Sequence, residues 1–542
     1  MNRDIRAATG RGVCCLIVLS AIVFLSSPAA AQDSVERWDA VDVSLPGPQS
    51  GNPFLDVELS ATFRRGGDEQ TVRGFYDGDG IYRIRFMPHQ TGRWRYTTHS
   101  NAAQLDGKSD AFEVVAPTAG NHGPVRVRNT FHFAYADGTP YRQLGTTCYA
   151  WTHQGDELEQ QTLQTLAASP FNKIRMCVFP KRYRWNENEP PLYPFEGTPP
   201  RPGTRQNRLP GARWDFTRFN PKFFQHLEQR VKRLRDLGIE ADIILLHPYD
   251  EGHWGFDRMP DEADDRYLQY VVARLAAYRN VWWSMANEYD FMTEKQESDW
   301  DRMIQVVHDA DPYGRLLGIH NGRLLYNHTN PLLTHASIQN GSAAEDAARA
   351  ILYRDVYRKP VVFDEIKYEG NIPMRWGNLS AAEMVHRFWE CIIAGTYPGH
   401  GECHLHPQDV LWWSKGGVLH GESPARIAYL RDVLATAPAE GLEPIDKWQH
   451  TNIVGQPAKY YLVYFGKEPL TEWKFSLPRH ELADGMRFQV DVLDTWNMTT
   501  TPVAEPITVR RESDYVFVDQ NDRSIELPGR PWMALRITRI DE

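Results

Sequence analysis

The sequence predicts a multidomain α/β protein in which a central (β/α)8 TIM barrel is flanked by an N-terminal and a C-terminal β-sandwich. Three observations predict it. At 542 residues the chain is too long for one ordinary domain, and its 42% apolar content is ample for several cores. Between residues 119 and 440 short apolar runs alternate with helical segments, whereas the text on either side carries only short strand-like runs. The apolar runs of the middle region end, one after another, in polar side chains, as barrel strands do at the face that carries chemistry.

Residues 1–31 read as an export signal: Arg3, Arg6 and Arg11 lead an apolar stretch over 13–25, and Ala29-Ala30-Ala31 offer a small-residue cleavage site. That stretch is too short to span a bilayer and no second one follows, so the expectation is a periplasmic or extracellular protein without membrane insertion. From 32 to 118 the signals are all β. Tyr82-Arg-Ile-Arg-Phe86 and Trp94-Arg-Tyr-Thr-Thr98 alternate apolar with polar, and Asp77-Gly-Asp-Gly80 and Gln90-Thr-Gly92 are turns. This is a small sandwich. Four thiols remain in the mature chain, Cys148, Cys177, Cys391 and Cys403, too few for a disulfide scaffold. A Cys148–Cys403 bridge and four buried free thiols are both open.

A breaker-rich stretch at 117–124 leads into the barrel region, 119–440. Strands are expected at 142–149, 172–179, 240–247, 281–286, 316–320, 334–339, 360–365 and 399–406, with helices at 156–168, 220–237, 261–278, 297–309 and 380–394. The second helix carries Pro221 in its first turn and stops at Gly238. Eight strands with intervening helices close into a parallel barrel. From 441 to 542 the text is β again, a second sandwich.

The strand ends supply Tyr149 and Trp151, Arg175, His247, Asn287 and Glu288, His320, Gln339, Asp364 and Glu365, then Glu402 and His404. A purely structural barrel has no use for so many polar groups at one rim, since each costs free energy unless paired. Two strand-end glutamates, Glu288 and Glu365, are what a retaining glycosidase requires, one as acid/base and one as nucleophile. The formal charge of −10, with both signs interspersed, argues against nucleic acid or an anionic membrane as partner. The 17 tryptophans suit a carbohydrate substrate, although core packing claims most of them. Trp413, with Trp412, is a candidate stacking platform. On one strand His400, Glu402, His404 and His406 would face the same way, but the outer two would stand about 20 Å apart. They are therefore read as hydrogen-bonding pocket residues, with no metal and no cofactor.

Asn287-Glu288 closing the fourth strand and a Glu closing the seventh resemble clan A of the glycoside hydrolases. Arg175 on the second strand and His247 on the third match pocket positions of that clan. More narrowly, Asp364-Glu-Ile-Lys-Tyr-Glu-Gly370, between an immunoglobulin-like N-terminal domain and a C-terminal β domain, resembles the apiosidase-like secreted hydrolases of bacteria. The resemblance implies that Glu288 is the acid/base, Glu365 the nucleophile, and Asn287 the donor to the sugar 2-hydroxyl. It implies further that Arg175 holds Glu365 ionised and that His247 and His320 hold the sugar or orient the carboxylates. Gln339, Trp151, Glu402 and Trp413 complete the expected substrate-binding set, with Asp364 and Glu369 as alternative nucleophiles. Two other readings stand beside this one: a carbohydrate-binding protein without turnover, and a metal-dependent hydrolase using the His-rich eighth strand. Long loops after the second and third strands suggest a walled pocket and exo action. The sequence assigns no oligomeric state.

Overall fold

Short strands of two to seven residues pair in parallel and close on themselves, because nearly every residue in them is buried and they have no solvent side to present. The computed structural model describes residues 34–200, 212–250, 252–339, 343–406 and 410–540, so the predicted signal at 1–31 lies outside the described residues. The barrel strands are β1 (Gly145–Thr147), β2 (Lys173–Cys177), β3 (Glu240–Leu246), β4 (Val281–Ala286), β5 (Leu317–Gly318), β6 (Ala336–Gln339), β7 (Val361–Glu365) and β8 (Tyr397–His400). Their order in the sheet is β5-β4-β3-β2-β1-β8-β7-β6, and a parallel bridge between His320 and Ser337 joins its two edges. The chain forms a TIM barrel.

Seven helices of more than ten residues accompany it among the described residues: α1 (Asp156–Ala168), α2 (Pro221–Asp236), α3 (Asp261–Leu275), α4 (Glu297–Ala310), α5 (Ala347–Tyr357), α6 (Ala381–Ile393) and α7 (Ser423–Ala435). Helix α2 starts where Asn220 Oδ1 accepts from Lys222 N–H at 3.2 Å ahead of Pro221, and it ends where Gly238 turns to φ +71°. Among the described residues no helix joins β5 to β6. The eighth strand departs from expectation. It covers 397–400 rather than 399–406, and after Gly401 the pair Glu402–Cys403 leaves the barrel to lie parallel to Glu369–Gly370. Gly401 explains the break: a side chain there would meet the Tyr368 ring at 2.0 Å, so the chain bends away where only glycine fits.

A three-stranded sheet over 125–141 plugs the floor of the barrel, with the Phe133 ring 5.1 Å from Trp282 and 5.0 Å from Tyr397. The N-terminal region stacks a five-stranded sheet on a three-stranded one, with Phe63 and Phe86 stacked at 3.9 Å between them. The C-terminal region is an antiparallel sheet of nine strands, and a ribbon of Glu472–Lys474 with Ser524–Glu526 packs Trp473 and Ile525 onto its core. All four described cysteines are buried free thiols, and Cys148 donates to Trp412 O rather than bridging to Cys403.

Candidate active site

Successive side chains on a strand point to opposite faces, so a strand end delivers two neighbours into one cavity only if its backbone departs from regularity. Both carboxylate-bearing strands depart. After β4, Glu288 adopts φ 50°, ψ 56°, the left-handed region that a non-glycine residue enters at a cost of about 1–3 kcal/mol. The turn is held by Asn287 N–H donating to Leu246 O and Tyr289 N–H to His320 O, each at 3.0 Å, so the neighbouring strands impose it. On β7 a bulge does the same work. Ser337 pairs with Val362 and Gln339 with Glu365, two residues on β6 against three on β7, and Asp364 and Glu365 are both re-aimed.

Asp364 turns into the barrel. It is buried, accepts from Lys173 Nζ at 2.9 Å and from Ser337 Oγ, and these partners hold its carboxyl below the usual range against the cost of burial. Glu365 faces the mouth. Tyr149 Oη donates to its Oε1, Arg175 Nη1 lies 3.5 Å away, and His320 Nε2 also lies at 3.5 Å. Burial alone would raise its pKa, but His320, Arg175 and Tyr149 outweigh that and bring it down to about 2. Arg175 Nη1 also donates to Asn287 Oδ1 at 2.5 Å, which fixes the Asn287 amide so that its Nδ2 faces Glu288 Oε2 at 3.4 Å.

Glu288 meets the opposite environment. It is 6% exposed, accepts only from the side-chain amides of Gln339 (3.1 Å) and Asn287 among the described residues, and is pushed up to about 8 by burial first and by the Glu365 charge second. Gln339 joins the two acids. Its Nε2 serves Glu288 while its Oε1 lies 3.3 Å from His320 Nε2. Ser337 donates to Asp364, so its Oγ accepts from His320 Nδ1–H at 3.0 Å and the imidazole is held between the two networks.

Over this floor stands an aromatic wall. The Trp413 ring lies 5.0 Å from Trp376, 5.7 Å from Tyr183 and 6.4 Å from Trp185, with Tyr368 and Tyr149 behind it. Buried Lys181 sits among these rings, its Nζ 3.5 Å from the Tyr149 centroid and 4.6 Å from that of Trp413. Burial pulls the Lys181 pKa down to about 8 although Cys177 and both glutamates oppose it.

Residues 128–406, more than half of the chain, match the family model of the apiosidase-like catalytic domain. The chain belongs to the apiosidase-like family. Its solved relatives include a protein from Bacteroides vulgatus ATCC 8482 described as a candidate glycoside hydrolase. The two are 42% identical with a TM-score of 0.90, over 94% of this chain and 100% of that one. A family 5 glycoside hydrolase from the same organism shares the fold at 14% identity and a TM-score of 0.54, over 77% of this chain and 93% of that one. Residues 34–101 and 448–538 match two domains of unknown function, DUF5060 and DUF5605. No curated protein matches the sequence. The apiosidase-like barrel is that of a glycoside hydrolase.

Of the residues singled out in the sequence, the apiosidase-like site brings together Glu288, Glu365, Asn287, Arg175, His320 and Gln339, with Trp413 in the wall above. Three lie elsewhere in function. Trp151 is fully buried, its Nε1 donating to Met176 Sδ at 3.4 Å, so it has no face to offer a sugar. His247 spends both ring nitrogens on backbone: Nδ1 accepts from Tyr249 N–H, leaving Nε2–H to donate to Phe179 O, each at 3.2 Å. Glu402, 1% exposed, turns to Glu369 and His400, and its Oε1 accepts from His420 N–H. As for the alternative nucleophiles, Asp364 is tied to Lys173, and Glu369 accepts from Glu422 and Ser423 N–H at the start of α7. Sequence reasoning missed Lys181, Tyr183, Trp185 and Trp376. Lys181 follows β2 by four residues, on the catalytic side, and that position was the available signal.

Proposed function

We propose that this apiosidase-like enzyme is a retaining hydrolase of β-glycosidic bonds in oligo- or polysaccharides. The observation that carries the reading is the opposed environment of two carboxyls at one barrel mouth: Glu288 meets the amides of Gln339 and Asn287, whereas Glu365 meets Tyr149, Arg175 and His320, which favours a proton on the first and a charge on the second. Glu365 attacks the anomeric carbon as the bond to the leaving oxygen breaks, and Glu288 gives that oxygen its proton. Glu288, now ionised, takes a proton from water. The hydroxide attacks the same carbon and frees the Glu365 carboxylate. The Asn287 Nδ2, its orientation set by Arg175, donates to the sugar 2-hydroxyl. Trp413 and Trp376 offer edges and faces for the sugar ring, and the wall they build supports a pocket and release from chain ends. The export signal expected at 1–31 supports a periplasmic or extracellular location.

A screen of aryl β-glycosides, apiosides included, against the wild type and Glu365→Gln tests the reading. Turnover by the wild type and a loss of at least about 10⁴-fold in a folded Glu365→Gln are expected. A binding protein without turnover gives no release from either. A variant retaining a tenth of the activity removes Glu365 from the mechanism.

A further inference from the structure

Behind the Tyr368 wall, away from the groups assigned to glycoside cleavage, the loops after β7 and β8 bring three buried side chains to one point. Glu369, His400 and Glu402 each offer a donor atom, and these atoms lie within 4.8 Å of one another. The three residues are 3%, 0% and 1% exposed. Their outer edges are held in place. His400 Nδ1 lies 3.0 Å from Thr146 Oγ1, Glu402 Oε1 accepts from His420 N–H, and Glu369 accepts from Glu422 N–H at 2.9 Å and Ser423 N–H at 3.2 Å. Their inner edges are not. Among the described residues, His400 Nε2 and Glu402 Oε2 are buried without a hydrogen-bond partner. His404 Nε2 is turned to the same point, 3.8 Å from Glu369 Oε1.

A buried imidazole nitrogen and a buried carboxylate oxygen left bare beside a second carboxylate form a costly arrangement that a cation would complete. The donor set is one or two imidazoles and two carboxylates. Calcium and magnesium prefer oxygen alone, whereas mixed N and O donors suit zinc. Tetrahedral zinc with bonds near 2.1 Å sets its donors about 3.4 Å apart, a modest contraction of the present spread. The backbone contacts to Glu369 and Glu402, and Thr146 beside His400, are the outer partners that such ligands need.

We propose that Glu369, His400 and Glu402 bind one zinc ion, with His404, 3.8 Å from Glu369 but outside their 4.8 Å set, drawn in as fourth ligand, and that the ion ties the loop after β7 and the end of β8 to the start of α7. The ion takes no part in bond cleavage. It fixes the backbone at Glu369, next to Tyr368, and around Gly401, against the Tyr368 ring; the Tyr368 Oη stands 3.4 Å from the Tyr149 hydroxyl that serves Glu365. It is thus a positioning device for the nucleophile's surroundings. The proposal stands whether or not the retaining mechanism does.

Tag-free full-length protein, stripped with a chelator and then titrated with ZnCl₂, CaCl₂ and MgCl₂ by calorimetry, tests it. One zinc per chain with Kd below about 10 µM, a rise in Tm with zinc alone, and a loss of more than about 100-fold in zinc affinity in Glu402→Gln and His400→Gln are expected, beyond the 10–100-fold of an outer-partner change. Equal zinc affinity in wild type and both variants places the ion elsewhere, for instance at the stacked pair His406 and His420, and overturns the assignment. Should the variants fail to fold, the wild-type titration decides: no saturable zinc site below about 1 mM overturns it too.

Discussion

Burial of Glu288 makes the stability of the fold depend on pH. Burial and the Glu365 charge push its pKa up to about 8 from the ordinary value of 4.5 that holds in the unfolded chain, so between those pH values the folded chain holds a proton that the unfolded chain has released. Stability from this residue therefore falls as pH rises through that window, and it is regained below it. Glu288→Gln removes the ionisable group and keeps an oxygen for Gln339. It should raise stability at pH 7.5 by roughly 2 kcal/mol, with little gain at pH 4, while activity falls about 10²–10⁴-fold. Denaturant titrations at the two pH values check the sign. The opposite holds for Glu365, whose lowered pKa contributes stability above pH 4.5 that is lost as pH falls toward 2. With Glu288 as the acid, kcat/KM should decline above about pH 8, and Glu288→Gln should lose that limb. At this scale the sequence exposed what ends a strand but not where a side chain turns. Trp151 and His247 read as pocket residues by position, yet a sulfur and two backbone groups claim them.

At the scale of elements, the site depends on two local irregularities and on close backbone approach. The β7 bulge and the left-handed Glu288 each bring a second polar residue to the mouth. Where β8 passes β7, a side chain at Gly399 would meet Asp364 O at 2.5 Å, and backbone gives way less readily than a side chain. Gly399→Ala should cost about 1–3 kcal/mol of stability and displace Asp364 and Glu365 together, lowering kcat more than it raises KM. Thermal melts with steady-state kinetics measure both. Strands β1 to β4 and β7 were legible because each is an apolar run with polar ends. The eighth was overextended through its alternating histidines, since nothing in that pattern reveals the crowding at Gly401. Helices α5 and α7 escaped notice. In α5, Leu352 and Val356 are 63% and 66% exposed, so apolar residues mark both faces, and α7 has Pro424 in its first turn, which reads as a breaker.

Across the whole molecule, the flanking β regions are joined to the barrel by buried charges as well as by apolar contact. Arg274 of α3, fully buried, donates to Glu228 of α2 and to Asp77 of the N-terminal region at 2.6 Å each, and Arg85 reaches both Glu228 and Arg274 O. On the other side His386 of α6 meets Tyr464 at 3.1 Å, and Trp389 stacks on the same ring. Breaking one member of a buried pair leaves its partner uncompensated, so Arg274→Ala should destabilise by about 3–5 kcal/mol and split the calorimetric transition of the N-terminal region from that of the barrel. A single unchanged transition would contradict this coupling. Composition and period were enough to announce three regions. The ion pairs between them were not legible, because partners 143 and 197 residues apart leave no local pattern.

The central claim is that cleavage proceeds by two displacements at one carbon. The anomeric configuration of the sugar first released from a β-glycoside, followed by proton NMR before mutarotation, tests it most directly. The account predicts the β anomer first. An α anomer at the earliest time points means a single displacement, with water rather than Glu365 as the nucleophile.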